Sequence, residues 1–250
     1  MIGTLYGVGT GPGDSELMTL KAVRIVRECD VIAIPVSNTD LSTEPELFEN
    51  NSVDDNKKEI LNSCVAYKIT LPNVPEMEHK KIFTLPMPMC KDKAELKRIH
   101  ETGAQAIANL LKEGKNVCFL TIGDPTVYST YLYVHKRILK LGYPAEIING
   151  IPSFCSVAAK LGIGLVENKN ALHVIPSSYG VEEALKLSGT KVFMKAGKKM
   201  AKVKDDIKKT DEKFYMMENC GMSDEKIYTD INQVPDETSY FSLIILKEED

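Results

Sequence analysis

The sequence has 250 residues, 43% hydrophobic and 26% charged, enough for one large or two small globular domains with a real core. Its 31 basic and 35 acidic residues are interleaved and sum to a formal charge of −4, so there is no global basic field for nucleic acid, and an anionic partner must meet a local cationic patch. No apolar run approaches the ~18 residues that cross a bilayer, and no charged start leads into a long apolar segment, so a cytoplasmic protein away from membranes is expected.

In chain order, residues 2–8 read as a short buried strand, followed by Gly7-Val-Gly-Thr-Gly-Pro-Gly-Asp14 and a helix over 16–29 with Leu17, Leu20, Val23 and Val26 on one face. Residues 30–35 form a second strand closed by Pro35. Residues 38–56 are polar, acidic and rich in Asn, Asp and Ser, and read as a mobile surface insertion. A helix near 58–66, a strand near 81–85 and a long helix from Lys93 to Lys112 stopped by Gly114 come next. Residues 116–122 are the clearest buried strand, and Gly123-Asp-Pro-Thr-Val-Tyr-Ser-Thr130 then opens a helix reaching about Leu141.

A strand at 142–150, a helix from the Pro152 turn to Gly162, a short strand at 173–176, a helix at 181–187, a strand at 191–196 and a helix at 198–209 continue the alternation. Strands at 213–217 and 239–246 close it, antiparallel or mixed because the connections between them are short and turn-rich. The pattern is α/β in two units, residues 1–115 and 116–250.

The glycine loop invites a dinucleotide reading, which needs glycine at relative positions 1, 3 and 6. From Gly7 the sixth position is Pro12, from Gly9 it is Asp14, and from Gly11 it is Glu16, so every register fails. Asp14 and Glu16 would also repel a phosphate from the positive end of the following helix. No P-loop exists either, since Gly197-Lys198 is followed by Lys199 and Gly114-Lys115 by Asn116. What remains is a loop of small residues that lets another group approach the backbone, with carboxylates that tolerate a cation. Asp14 or Ser15 can equally act as a plain helix cap. The turns at Gly123-Asp124-Pro125 and Gly150-Ile-Pro-Ser153 also follow strands, where ligands bind in open α/β sheets, although each alone could be a simple connection.

The cysteines, Cys29, Cys64, Cys90, Cys118, Cys155 and Cys220, are spread singly without a C-x-x-C pair and read as reduced thiols. His79, His100, His135 and His173 show no ligand spacing, so no protein metal site is expected.

Together, Gly7 to Asp14, Pro86-Met-Pro-Met89 with Lys91-Asp92, Phe119-Leu-Thr-Ile-Gly-Asp-Pro-Thr-Val-Tyr-Ser-Thr130 and Ile148-Asn-Gly-Ile-Pro-Ser-Phe154 resemble the tetrapyrrole (corrin and porphyrin) methylases. Within that family they are most similar to the enzymes that methylate C-20 of precorrin-2 or cobalt-factor II in cobalamin biosynthesis. The resemblance spans nearly the whole chain, and the stretch at 38–56 is its main departure. It implies two α/β domains of the class III methyltransferase type, a homodimer, and S-adenosylmethionine held in a cleft between the domains and released as S-adenosylhomocysteine. Cofactor contact then falls on Pro12, Ile122, Gly123, Asp124, Val127, Pro152 and Ser153, and also on Met194, Lys195 and Tyr215, of which Met194 and Tyr215 equally fit plain strand core.

The implied reaction is displacement of the cofactor's methyl group by a meso carbon of the macrocycle, helped mainly by holding the reacting atoms ~3–3.5 Å apart. Asp124, Tyr128 or a water would take the C-20 proton, while Asp124 could instead orient the turn and Tyr128 pack in the helix. Lys91, Arg98, Arg137, Lys195, Lys198, Lys199 and Lys202 are candidates for the substrate's carboxylates, and cobalt would arrive inside the macrocycle. Other outcomes implied by the same fold are methylation of another ring position or of a substrate that is not a tetrapyrrole, and a tetrapyrrole carrier without catalysis.

Overall fold

The computed structural model of the chain describes residues 1–38, 40–50, 53–90, 92–177, 181–195 and 200–248, which fall into two compact units, Met1–Pro152 and Ser153–Asp250. The first unit runs β1 (Leu5–Gly9), α1 (Leu20–Glu28), β2 (Val31–Val36), β3 (Glu46–Glu49), α2 (Asp55–Ser63), α3 (Val65–Thr70), β4 (Lys81–Pro86), α4 (Lys93–Lys112), β5 (Val117–Thr121), α5 (Tyr131–Lys140) and β6 (Ala145–Ile148). Its sheet has the order β3-β4-β2-β5-β1-β6, parallel except for the antiparallel β3–β4 pair.

A parallel sheet needs cover on both faces, and its strands accordingly carry continuous apolar runs. Ile32, Ile34, Cys118 and Leu120 pack with α1, α2 and α3, whereas Val31, Ala33, Val117 and Phe119 pack with α4 and α5. The period of two along each strand sends neighbours to opposite cores. The division expected near residue 115 therefore lies after Pro152. β5 hydrogen-bonds to β1 on one side and β2 on the other, and so stands inside the first sheet instead of beginning the second.

The expected insertion at 38–56 is in part built structure. Residues 46–49 form β3, Phe48 is buried against the α2–α3 core, and the Lys57 ammonium sits 5.1 Å above its ring. The buried Asn50 amide donates to Tyr67 Oη at 2.8 Å and to the Met77 carbonyl at 2.9 Å, so this edge is tied to the body of the unit. Thr39, Asn51 and Ser52 of that stretch lie outside the described residues. The helix expected from residue 16 starts at Leu20, because Thr19 Oγ1 accepts from Ala22 N at 3.1 Å and caps it. Ahead of it Asp14 caps a separate 3-10 turn, Ser15–Leu17. The buried face is Ala22, Ile25 and Val26, and Leu20 is 90% exposed. At the end of α4, Gly114 takes φ +83°, a conformation natural to glycine, and its N–H bonds back to the Leu111 carbonyl.

The second unit runs α6 (Ser153–Leu161), β7 (Leu172–Pro176), β8 (Thr190–Met194), α7 (Met200–Ile207), β9 (Lys213–Glu218), β10 (Lys226–Tyr228) and β11 (Ser242–Lys247). Its sheet has the order β10-β9-β11-β8-β7, in which only β7–β8 is parallel, so the mixed character expected of the last strands is present. α7 covers Phe193, Met216, Ile244 and Leu246, and α6 covers Val192, Met217, Leu243 and Ile245 on the other face. In place of the helix expected at 181–187 there is a single 3-10 turn, Ala184–Lys186, cut short before Gly189 at φ +90°. Residues 178–180 and 196–199, on which parts of two expected elements fall, lie outside the described residues.

Lys191 of β8 is 1% exposed, paired with Glu212 and hydrogen-bonded to the Gly189 carbonyl at 3.1 Å. Removing one partner from a buried pair strands the other charge, at a cost of about 3–5 kcal/mol. Lys191→Met should lose stability on that scale in urea unfolding. Lys191→Met combined with Glu212→Leu should recover most of it, and equal losses in the two variants would contradict the pairing.

Candidate functional site

The carboxyl ends of β5, β1 and β6, adjacent in the first sheet, carry the loops that the sequence singles out: residues 10–14, 122–128 and 149–152. From β1 the chain crosses to β2 by α1 on one face, and from β5 it crosses to β6 by α5 on the other. Crossovers that diverge in this way leave a crevice at the strand ends, the usual ligand site of open α/β sheets.

Backbone contact builds this crevice. Thr10 N donates to the Thr121 carbonyl at 2.9 Å, and Gly123 N donates to the Gly11 carbonyl at 2.8 Å, so the first two loops continue the pairing of their strands. A Cβ on Gly9 would come within 2.6 Å of Gly123 O and of Gly150 N, and one on Gly150 within 2.1 Å of Gly123 O. No side chain fits among these three backbones. Gly123 differs: it holds φ +72°, and a Cβ there would meet nothing closer than Ile151 O at 3.9 Å. The space beside Gly123 is the open part of the crevice, where a ligand can reach the backbone.

Asp124 locks the turn. Its Oδ1 accepts from Thr126 N at 2.7 Å and from Thr126 Oγ1, and its Oδ2 accepts from Asn149 Nδ2 at 3.1 Å and Gly150 N at 3.0 Å. The carboxylate is 6% exposed. Burial pushes its pKa up, but the hydrogen bonds from Thr126, Asn149 and Gly150 outweigh burial and hold it below the ordinary carboxylate range. The residue is thus ionised at neutral pH, with both oxygens committed. Ser129 Oγ lies 3.0 Å from Thr121 Oγ1 and accepts from Tyr131 N at 3.2 Å, tying the end of the turn back to β5. Loops 10–14, 122–128 and 149–152 contain no lysine or arginine, so their electrostatics suit a cationic or neutral ligand.

The expected site residues divide by unit. Pro12, Gly123 and Asp124 are buried and Ile122, Val127 and Pro152 half-buried, all on these three loops of the first unit. Tyr128 follows on the same turn, 46% exposed at φ +47°. In the second unit, Ser153 is the first residue of α6, and Met194 and Tyr215 share the sheet face that packs on α6. The surroundings of Met194 and Tyr215 are those of strand core. Lys195 follows Met194 at φ +61°, with its ammonium 5.6 Å from the centre of the Tyr240 ring. Gly9, Thr126, Asn149 and Gly150 complete the turn contacts; they lie in stretches that the sequence marks but are not among the expected contact residues. Their only local signals are the Gly-x-Gly and Asn-Gly pairs, which any turn can carry.

Among the lysines and arginines considered for substrate carboxylates, Arg98 is engaged by Glu95 and Glu44, and Lys202 by Glu182. Lys91, Lys198 and Lys199 lie outside the described residues. Among the described residues, no helix is long and apolar enough to cross a membrane.

A curated protein of Methanocaldococcus jannaschii, described as a probable cobalt-precorrin-2 C(20)-methyltransferase, is 33% identical over 250 residues, covering 99% of this chain and 97% of its own. The precorrin-2 C(20)-methyltransferase of a Sinorhizobium species is 27% identical, covering 98% of this chain and 95% of its own. Two solved structures share the fold. A putative cobalamin-synthesis-related protein from Corynebacterium diphtheriae matches with a TM-score of 0.70 at 20% identity, covering 100% of both chains. The uroporphyrin-III C-methyl transferase of Thermus thermophilus, solved with S-adenosylhomocysteine, matches with a TM-score of 0.62 at 21% identity, covering 98% of both. The model of the Tetrapyrrole (Corrin/Porphyrin) Methylases matches residues 4–235, and the chain belongs to that family.

Proposed function

We propose that the protein transfers a methyl group from S-adenosylmethionine to C-20 of a precorrin-2-type tetrapyrrole, in its cobalt-bound form, during cobalamin biosynthesis. The observation that carries this reading is the 33% identity, over almost the full length of both chains, to a relative described as acting on cobalt-precorrin-2 at C-20. The crevice supports it, being open at Gly123, free of lysine and arginine in its loops and anionic at Asp124.

S-adenosylmethionine, when bound, supplies a methyl group on a positively charged sulphur. We assign its binding to Pro12 and the turn of Ile122, Gly123, Asp124 and Val127, with Pro152 and Ser153. In the second unit, Met194, Lys195 and Tyr215 are the further contacts we propose. Because Gly9 and Gly150 carry no side chains, the three loops close on one another and leave the approach at Gly123 as the shaped space. The macrocycle carbon gains the methyl and loses a proton. With both Asp124 oxygens occupied by Thr126, Asn149 and Gly150, we assign Asp124 to positioning the turn, leaving Tyr128 or a water for the proton. As in the family resemblance, we take the protein to act as a cytoplasmic homodimer.

Label from methyl-labelled cofactor should appear at C-20 of cobalt-precorrin-2, and more slowly on the metal-free substrate. Cofactor binding without transfer to either would overturn the substrate assignment. Gly123→Arg, which forces a side chain into φ +72° and fills the open space, should abolish S-adenosylhomocysteine binding in calorimetry while the protein stays folded.

Asp124→Asn faces two of its four donors with an amide NH2, and should cost about 2 kcal/mol of stability and cofactor affinity together. Since the native carboxyl titrates below its ordinary value, its stabilisation is complete above about pH 4. It fades only as pH falls through the lower native value, and the gap between variant and wild type should narrow there. A variant that loses turnover but binds cofactor normally would instead identify Asp124 as the base.

A further inference from the structure

A cavity of about 370 Å³ opens on the α4–α5 side of the first unit, just beyond the carboxyl end of β4. Met87, Met89, Leu96 and Tyr133 give it apolar walls, while Lys93, Lys97 and Arg137 give it charge, Lys97 being paired with Glu101 at 3.8 Å. Tyr133 is held flat by stacking on His100, with ring centroids 4.8 Å apart and planes 10° from parallel. Arg137 Nη1 donates to the Tyr133 carbonyl at 2.8 Å, which fixes the guanidinium along the helix and spends one of its five N–H donors.

The carboxylates nearest in sequence are already engaged. Asp92 caps α4 through Ala94 N and Glu95 N, and Glu95 holds Arg98 at 2.8 Å. Among the described residues, neither Lys93 nor Arg137 has a carboxylate within ion-pair distance. Two cations without counter-ions beside an apolar wall fit a ligand that is itself both apolar and anionic. Thr130, which follows the Gly123–Tyr128 turn, also lines the cavity. β4 and β5, whose ends lead to the cavity and to that turn, are separated only by β2, two strand spacings or about 10 Å.

We propose that this cavity receives a peripheral carboxylate side chain of the tetrapyrrole substrate, with Arg137 and Lys93 pairing the anion and Met89 and Tyr133 supporting the apolar edge of the ring. The assignment rests on the tetrapyrrole reading above. It selects Arg137 from the cations considered from sequence and adds Lys93, and it leaves Arg98 to its carboxylates.

The test compares wild type, Lys93→Gln with Arg137→Gln, and a control, Lys112→Gln with Lys140→Gln, that removes the same charge from exposed sites elsewhere. Fluorescence titration with uroporphyrin III, a tetrapyrrole octacarboxylate, and methyl-transfer kinetics with cobalt-precorrin-2 are the readouts. Unfolding midpoints and S-adenosylhomocysteine affinity check that the variants fold. The expected result is a Kd for uroporphyrin III and a KM for cobalt-precorrin-2 raised about 10–100-fold in the cavity variant alone. The KM for cofactor should stay within twofold. A cavity variant that methylates with unaltered KM overturns this assignment while the methyl-transfer reading stands. A wild type that neither binds uroporphyrin III nor methylates a tetrapyrrole overturns both.

Discussion

The contact among Gly9, Gly123 and Gly150 is the constraint on which the rest of the first unit's site depends. Three loops from three adjacent strands meet backbone to backbone, closely enough that a methyl group at residue 150 would lie 2.1 Å from the Gly123 carbonyl. Asp124 converts that contact into a fixed shape, since one carboxylate spans its own turn through Thr126 and the β6 loop through Asn149 and Gly150. A buried carboxylate is tolerated because hydrogen bonds replace its lost water, and its lowered pKa records the same balance. Gly9 and Gly150 therefore serve close approach between loops.

That constraint also orders the functional argument. Electrophilic methyl transfer asks a protein mainly to hold two reactants in register, and a rigid, preorganised turn supplies this without an activated nucleophile. An occupied Asp124 fits such a site better than a free base would. The family match spans residues 4–235, and the close approach of the loops accounts for the glycines at residues 9 and 150.

Local features were legible in the sequence wherever the signal was itself local. The long helix expected from Lys93 to Lys112 is α4, and the Gly114 that stops it takes φ +83°. Features that depend on strand order were not legible. The apolar run of β5 looks the same whether it opens a new sheet or sits inside an old one, which is why the unit boundary belongs after Pro152. Gly150 shows its role only when β6 lies beside β1. β3 and β10 span 4 and 3 residues, too few for a period to register, and Leu20 looked buried because the helical period was extended through the cap at Thr19.

The account's central claim is that backbone contact between loops, more than any one side chain touching the ligand, shapes the crevice proposed to hold the cofactor. Calorimetric titration of S-adenosylhomocysteine into Gly150→Ala tests it most directly, because the added methyl group pushes on the Gly123 carbonyl and not into the open space beside Gly123. The account predicts a folded protein whose affinity falls by about tenfold or more, as the turns are forced apart. A Gly150→Ala protein that binds with wild-type affinity would contradict it.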